Sequence, residues 1–385
     1  MSKMFAYVLI LILLIGIATV AFNTNKVRAS GTIYIRSDGS VDPSTAPVLR
    51  NDSIYTLTDD ISDSSGVVIE RDGITFDGAG YTVRGMRTEF SVGILLENRV
   101  SVTIKGVQIS SFYSGIRFEN SSKNQICLCD ITNNDNAGIE LWWNSNSNRI
   151  DQNNVTRNSV YGIRFYQSDN NDIVANAILT SPSVGIDLWE SENTTITNNT
   201  IGSASTGVDL SSNCVVVNNT IINTGYGIKA GGGSQIVDNT IVWSHYGIAL
   251  FAVSHVLIVG NNITDNDVGI DEWGSENTIY HNFFGNNSLQ VEVTTQTRDS
   301  WDDGYPYGGN YWSNYKDTDG CCGPDQNQSG SDGIWDHPYV IDSNNVDRYP
   351  LVPEFPLPSI VPIFIMTSLM LTTILKGRRK TSAER

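Results

Sequence analysis

The central part of the chain repeats a short hydrophobic pattern at a nearly constant interval. A glycine is followed by Ile or Val, then by one variable residue, and then usually by an apolar residue. Because these apolar runs are short, alternating and β-branched, they favour strands over helices. The glycine recurs every 20 to 24 residues, at Gly93, Gly115, Gly138, Gly162, Gly185, Gly207, Gly227, Gly247 and Gly269.

A second pattern, Ile-x-x-Asn-x-Ile, has the same period as the glycines. An Asn stacked on the Asn of the next repeat can bond its own backbone and the neighbouring amide. The pattern therefore predicts a structural asparagine ladder along the repeats. Its members are Asn153, Asn176, Asn199, Asn219, Asn239, Asn261 and Asn282.

The length of the repeat decides between the solenoid folds. Roughly 22 residues are too few for two helices and a loop, and the pattern of leucine-rich repeats is absent. Coils of short strands, each paired with the next coil about 4.8 Å away, satisfy both patterns. We therefore predict an all-β fold, a single-stranded right-handed parallel β-helix of about nine coils with capped ends. Glycine is expected to permit the tight bend before each strand.

The ends of the chain predict export. Residues 1–29 have the basic start, apolar run and small residues of a signal peptide, with an uncleaved anchor as the alternative. Residues 30–85 are expected to form a cap and entering coil, residues 86–290 the repeats, and residues 291–352 an acidic aromatic segment. Residues 353–385 contain an apolar span followed by a basic cluster, which predicts a membrane anchor with a cytoplasmic end.

The net charge limits the partners that this chain can bind, and the cysteines limit the kinds of site that it can form. The net charge is −17, from 24 Lys and Arg against 41 Asp and Glu, so nucleic acid is a poor partner. The five cysteines match no zinc spacing, and none is expected to be catalytic.

Side chains alternate along a strand, so aligning the coils on glycine identifies residues on the outer face. Three aromatic residues fall on successive coils beside charged residues, which is a pattern that binds sugar rings and hydroxyls. The alternative is that these residues only support the sheet through cross-strand pairs. The predicted carbohydrate-binding residues are Trp142, Tyr166, Trp189, Glu140, Arg164 and Asp187.

An enzymatic role is a weaker expectation. Asp187 and Asp209 are expected about 5 Å apart on adjacent coils with Arg164 beside them, which could serve a polysaccharide lyase or glycoside hydrolase. The same charges also read as an ion-pair ladder, and the signature motifs of such enzymes are missing. We therefore favour a non-catalytic protein.

The acidic segment offers a weak calcium hypothesis. Asp317, Asp319, Asp332 and Asp336 are hard oxygen ligands among glycines, although their spacing matches no EF-hand loop. An acidic loop without calcium is the alternative.

The repeats resemble the NosD-type β-helix family, within the parallel β-helix proteins known as carbohydrate-binding and sugar-hydrolase folds. The sequences GNYWSNY at 309–315, DGIWDHPY at 332–339 and VDRYPL at 346–351 look like the segment that follows NosD-type coils. The resemblance implies a link to copper delivery. Copper is nevertheless not favoured, because the four histidines occupy different registers of the repeat. They are His245, His255, His281 and His337.

Residues 353–356, followed by the apolar span and the basic cluster, are similar to the sorting signals of archaeosortase substrates; a plain membrane anchor is the alternative. The sequence thus predicts a membrane-anchored surface protein. We expect it to bind a polysaccharide or surface glycan, or to contact an envelope protein as a structural or adhesion module.

Overall fold

A computed structural model describes residues 31–62, 64–293 and 298–353. The predicted signal peptide and nearly all of the predicted C-terminal anchor and sorting signal lie outside these residues. The described part is all-β and contains no helix, and therefore no helix that could cross a membrane. Three long sheets run along the molecule and form the sides of a parallel β-helix.

Each coil contributes one strand to each sheet in turn, and two short antiparallel strands extend sheets 1 and 2 at their ends. Sheet 1 comprises Val41–Asp42, Gly31–Ile35, Ser64–Ile69, Val92–Glu97, Ser114–Glu119, Ala137–Trp142, Tyr161–Tyr166, Val184–Trp189, Thr206–Asp209, Tyr226–Lys229, Tyr246–Leu250, Val268–Glu272 and Leu289–Val293. Sheet 2 comprises Val48–Asn51, Ile54–Leu57, Thr75–Asp77, Thr103–Lys105, Gln125–Cys127, Arg149–Asp151, Asp172–Val174, Thr195–Thr197, Val215–Val217, Gln235–Val237, Leu257–Val259 and Thr278–Tyr280. Sheet 3 comprises Thr82–Arg84, Gln108–Ser110, Asp130–Thr132, Asn154–Thr156, Ala177–Leu179, Thr200–Gly202, Thr220–Ile222, Thr240–Val242, Asn262–Thr264, Phe283–Gly285 and Tyr311–Trp312.

Identical positions of successive coils face one another. Ile139, Ile163 and Ile186 are paired strand to strand in sheet 1, and all three are fully buried. The apolar residue two positions later, such as Phe165, is buried as well. Burial of these columns is the main favourable term in folding, because it removes apolar surface from water.

The β-helix has about eleven turns, and the expected count of about nine was low. Coils form before residue 86, since Ile54–Leu57 and Ser64–Ile69 already pair in parallel with later strands. Gly66-Val67 fits the repeat pattern, and Val67 pairs with Ile94. The longer stretch between Gly66 and Gly93 hides this coil in the sequence. At the other end, Tyr311–Trp312 adds a strand to sheet 3.

The repeated glycines are required by close packing between coils. A Cβ built on Gly185 would lie 2.6 Å from the carbonyl oxygen of Gly207, and one built on Gly207 would lie 2.6 Å from that of Gly227. None of the nine repeated glycines has the positive φ that would favour glycine. The reason for glycine at this position is thus the approach of the next backbone, rather than the bend that we expected.

The asparagines of the second pattern are buried and stacked. The side-chain Nδ2 of Asn176 donates to Oδ1 of Asn199 at 3.0 Å, and the backbone N–H of Asn176 donates to the same oxygen at 2.8 Å. The same Nδ2 also donates to the carbonyl of Ile150 at 2.9 Å. The stack ends on Asn310, whose Oδ1 accepts from Nδ2 of Asn282 at 3.0 Å. Each asparagine thereby satisfies buried backbone groups that would otherwise lack partners.

The acidic aromatic segment packs over the last coil. The ring of Trp312 stacks on Phe284 at 4.4 Å between centroids. Its Nε1 donates to the buried carboxylate of Asp347 at 2.8 Å. Burial raises the pKa of Asp347 to about 7, although the hydrogen bond from the backbone N–H of Asn310 opposes the rise. The segment therefore covers the core of the last coil with aromatic side chains.

One carboxyl group interrupts the core. Glu272 occupies the inward position that is held by Leu250 in the preceding coil, and it is fully buried. Its Oε1 accepts from the backbone N–H of Gly274 at 2.6 Å, whereas Oε2 has no hydrogen-bond partner among the described residues. Burial, and secondly the nearby charge of Asp299, raise the pKa of Glu272 to about 8.

Replacement of a ladder asparagine should destabilise the fold. Asn199→Ala leaves the carbonyl of Ile173 and the N–H of Asn176 without their partner. We expect a loss of about 1–3 kcal/mol in the free energy of unfolding for each buried group left unpaired, measured by urea denaturation. The control Asn154→Ala, on the exposed side of sheet 3, should change it by less than about 0.5 kcal/mol. Equal losses would show that the ladder is not what stabilises the coils.

Glu272 should make stability depend on pH. Its pKa is higher in the folded state, about 8, than the ordinary 4.5, so the folded state binds more protons between these values. Its contribution is therefore complete below about pH 4.5 and is lost as the pH rises through about 8. Glu272→Gln should become progressively more stable than the wild type across this range in thermal unfolding. The exposed Glu190→Gln should follow the wild type, and parallel curves for all three proteins would contradict the assignment.

Candidate functional site

The outer face of sheet 1 carries rings and charges in two in-register rows. Trp142, Tyr166 and Trp189 are Cα partners on three successive strands. Glu140, Arg164 and Asp187 are partners in the same way, two residues earlier on each strand. The strand spacing of about 4.8 Å therefore sets the separation of the backbones that carry the rings.

The three rings differ in how they are held. Trp142 lies 6.3 Å from Tyr166 between centroids, and the edge of Trp143 contacts it at 5.1 Å. The indole Nε1 of Trp142 is buried and has no hydrogen-bond partner among the described residues. Trp189 is 54% exposed. Trp189 thus offers an open ring face, while Trp142 is held in place by its neighbours.

Arg117 joins the two rows at one end. Its guanidinium lies 4.6 Å from the centroid of Trp142 and 2.8 Å from the carboxylate of Glu140. Glu140 is fully buried, and its oxygens also accept from Ser114 Oγ and Asn136 Nδ2, both at 2.7 Å. Glu140 therefore has protein donors on both oxygens. Arg117 was not among the predicted site residues, because its reach toward Trp142 depends on side-chain direction.

The same combination of cation, ring and carboxylate occurs twice more. Arg164 lies 4.4 Å from the centroid of Tyr161 and 3.1 Å from the carboxylate of Asp187. Lys229 lies 4.8 Å from the centroid of Tyr226 and 3.7 Å from the carboxylate of Asp209. These contacts place three cations between rings and acids along one face. Tyr161 and Tyr226 were not predicted, because both precede the repeated glycine and lie outside the two rows that were predicted for the outer face.

Asp187 and Asp209 are partners on adjacent strands, as the sequence alignment of the coils implied. Burial raises the pKa of Asp187 to about 6; the charge of Arg164 opposes the rise and that of Asp209 adds to it. Burial also raises the pKa of Asp209, and Lys229 opposes this. Each carboxylate thus has its own cation, which opposes the effect of burial on its pKa.

A second aromatic cluster lies further along the same face. Tyr226 stacks on Tyr246 at 5.0 Å and meets the edge of Phe251 at 5.6 Å. Phe251 in turn contacts Trp273 at 6.0 Å. The indole Nε1 of Trp273 donates to Oδ1 of Asp271 at 2.7 Å. This second aromatic cluster (Tyr226, Tyr246, Phe251 and Trp273) was not predicted, although Phe251 and Trp273 occupy the row of Trp189.

The four aspartates of the calcium hypothesis accept hydrogen bonds within the acidic segment. Asp336 accepts from the backbone N–H of Cys321 at 2.9 Å, and Asp319 accepts from that of Asp332 at 3.1 Å. Asp332 accepts from the N–H of Ile334, and Asp317 from that of His337. In the part of the chain that the structure describes, no group of three or more His, Cys, Asp or Glu could hold a metal ion. The calcium site stays a prediction.

The four histidines have separate partners. His245 Nδ1 lies 2.6 Å from Asp267 and His337 Nδ1 lies 2.7 Å from Asp317. His255 faces Glu276 at 3.4 Å, and His281 Nε2 lies 2.8 Å from the carbonyl oxygen of Tyr307. Three of the five free cysteines are buried, namely Cys127, Cys129 and Cys214.

The family model described as NosD, periplasmic copper-binding protein, matches residues 25–205 and 180–317. No curated protein matches the chain. Among solved structures, the A-module of a mannuronan C-5 epimerase from Azotobacter vinelandii is 12% identical, with 71% of this chain and 90% of that chain covered and a TM-score of 0.48. The catalytic domain of a GH87 α-1,3-glucanase in complex with nigerose is 14% identical, with 64% and 63% covered and a TM-score of 0.45. Pectate lyase Pel9A is 15% identical, with 70% and 72% covered and a TM-score of 0.40.

Proposed function

We propose that this chain, which belongs to the NosD family, is an exported protein that binds carbohydrate on the outer face of sheet 1. We further propose that binding is non-catalytic and that the protein acts at the cell surface. The ligand would be a polysaccharide or a surface glycan. A structural or adhesion role in the envelope, through contact with another protein, is the alternative that fits the same exposed face.

The proposal rests chiefly on Trp142, Tyr166 and Trp189, which lie in register on three successive strands. Sugar rings stack on aromatic faces, and charged groups orient their hydroxyls. Trp189 is the most exposed of the three rings and is the primary contact in this proposal. Arg164 and Asp187 lie within the face and can bind hydroxyls. Glu140, whose oxygens are already occupied, would instead position Arg117 under the ligand.

Export is supported by the description of the family as periplasmic. The proposal also includes a signal peptide at residues 1–29 and an anchor at residues 353–385. An archaeosortase-type enzyme would remove this anchor. The signal peptide and the anchor would place residues 30–352 outside the cytoplasmic membrane, where polysaccharides are found.

The described residues do not fit the copper site that the family description implies. Copper prefers imidazole and soft sulfur ligands that converge on one point. The four histidines instead contact four separate partners, and Cys129 and Cys214 are buried with pKa values raised by burial to about 12 and about 11. A buried thiol that keeps its proton is a poor metal ligand. We therefore assign no copper chemistry to this part of the chain.

Loss of Trp189 should abolish most of the binding. Trp189→Ala removes an open stacking surface, so we expect affinity for the best polysaccharide on a broad glycan array to fall about tenfold or more. The melting temperature should change little, because the ring is 54% exposed.

Trp243→Ala provides the matched control. Trp243 is 50% exposed and directly follows the sheet 3 strand Thr240–Val242, so it belongs to no strand of sheet 1. Its loss should leave binding unchanged. Equal affinity for all three proteins, or an equal loss in both variants, would refute the assignment of the face.

Cleavage of the bound polysaccharide is a second candidate function, favoured by the raised pKa of Asp187 beside Asp209. A carboxyl group that titrates near neutral pH can act as a general acid or base. If the protein cleaves its ligand, new chain ends should accumulate at a rate that changes across about pH 6. Asp187→Asn should stop cleavage while the glycan remains bound, with Asp265→Asn as the exposed control. If no bound glycan yields new chain ends, the protein is assigned as non-catalytic.

A further inference from the structure

The cations of sheet 1 follow one rule. Arg117, Arg164 and Lys229 each lie within 4.8 Å of a ring centroid, and each pairs with a carboxylate on a neighbouring coil. An ammonium or guanidinium group in this position gains both a cation–π contact and an ion pair. The rule therefore shows which chemical group this face accommodates between its rings and its acids.

The coil that follows Lys229 has a ring and an acid at the corresponding positions, but alanine stands at the position of the cation. Ala249 is the strand partner of Lys229, and it is fully buried. The Tyr246 ring continues the stack from Tyr226, and Asp271 is the strand partner of Ala249. Glu292 follows Asp271 in register on the last strand of the sheet.

The two carboxylates lack a basic partner among the residues that the structure describes. In residues 31–62, 64–293 and 298–353, neither Asp271 nor Glu292 forms an ion pair with Lys or Arg. Asp271 is nearly buried, and the hydrogen bond it accepts comes from the neutral indole of Trp273. Burial raises the pKa of Asp271; the hydrogen bond from Trp273 opposes the rise and the charge of Glu292 adds to it, so a nearby cation would favour the ionised carboxylate.

Exposed aromatic rings lie near these two carboxylates. Phe251 is 38% exposed and Trp273 is 46% exposed. They lie at the position of the coil that Trp189 occupies earlier on the face, so a polysaccharide that stacks on Trp189 can continue onto them. The ligand contact at this end combines aromatic surface with unpaired negative charge.

We propose that the second aromatic cluster, with Asp271 and Glu292, binds the protonated amine of a polysaccharide built from amine-bearing sugars. The amine takes the place that the cations of the chain occupy in the earlier coils, over Tyr246 and beside Asp271. Sugar rings stack on Phe251 and Trp273. This inference rests on the proposed carbohydrate-binding function and names its substrate class. Polyuronates are disfavoured, because their carboxylates would meet Asp271 and Glu292 without a cation between them.

The test compares two oligomers that differ only at the sugar nitrogen, which is a protonatable amine in one and a neutral acetamide in the other. Calorimetry with the full-length chain would use the β-1,4-linked glucosamine hexamer and its fully N-acetylated counterpart, at a pH where the free amines are protonated. We expect the amine hexamer to bind about tenfold more tightly, since an ion pair and a cation–π contact are added. This preference should shrink when NaCl is raised from about 50 mM to about 500 mM.

Asp271→Asn is the decisive variant because it removes the charge and keeps the shape. It should lower affinity for the amine hexamer about tenfold and leave the N-acetylated hexamer unchanged. Asp265→Asn, which removes one exposed charge elsewhere, should change neither. If Asp271→Asn does not fold, as judged by thermal unfolding, Glu292→Gln serves the same purpose with a smaller expected loss.

Several results would overturn the inference. If the two hexamers bind with equal affinity, or if neither binds, the amine site is rejected. The glycan array and the Trp189→Ala variant then decide separately whether the face binds carbohydrate at all. Hexalysine binding as tightly as the amine hexamer, with no effect of Trp189→Ala, would identify a basic protein segment as the ligand instead.

Discussion

Backbone hydrogen bonds between successive coils determine the positions of the side chains in the repeated part of the β-helix. Since the strands pair in parallel and in register, residues one repeat apart lie directly over one another at about 4.8 Å. This pairing stacks isoleucine on isoleucine in the core and asparagine on asparagine at the corner. It also stacks rings and charges on the outer face of sheet 1. A coil therefore derives its stability from its two neighbours, as in other repeat proteins.

The outer face of sheet 1 shows how this regularity accommodates charge. Glu140 is fully buried, although it lies on the solvent side of the sheet, because Arg117 and the surrounding side chains cover it. A buried ion pair is tolerable only when its remaining polar atoms are satisfied, and Ser114 and Asn136 do so here. Glu272 is the contrasting case: it points into the core with one oxygen unpartnered, and its pKa rises accordingly.

The repeat was sufficient to predict the fold class and the residues that share a face, because both follow from period and alternation. Trp142, Tyr166 and Trp189 could be placed on successive coils for this reason. Contacts that depend on side-chain length and direction could not be predicted, such as the guanidinium of Arg117 over Trp142. The count of coils was low because Gly66 lies outside the regular interval and because Gln290 stands at the glycine position of the last sheet 1 strand. The packing of the acidic segment also escaped prediction, since Trp312 and Asp347 meet only through long-range contacts.

The shortened strands Thr206–Asp209 and Tyr226–Lys229 divide the outer face into two parts. In the row of Trp189, these two coils carry Ser211 and Gly231, which offer no ring. Phe251 is the next aromatic residue of that row, three coils away, or about 14 Å at the spacing of parallel strands. If the face binds carbohydrate as proposed, a single sugar can contact one aromatic platform, whereas only a chain of several units can reach both. On that proposal, the number of coils between Trp189 and Phe251 sets the minimum length of a ligand that contacts both.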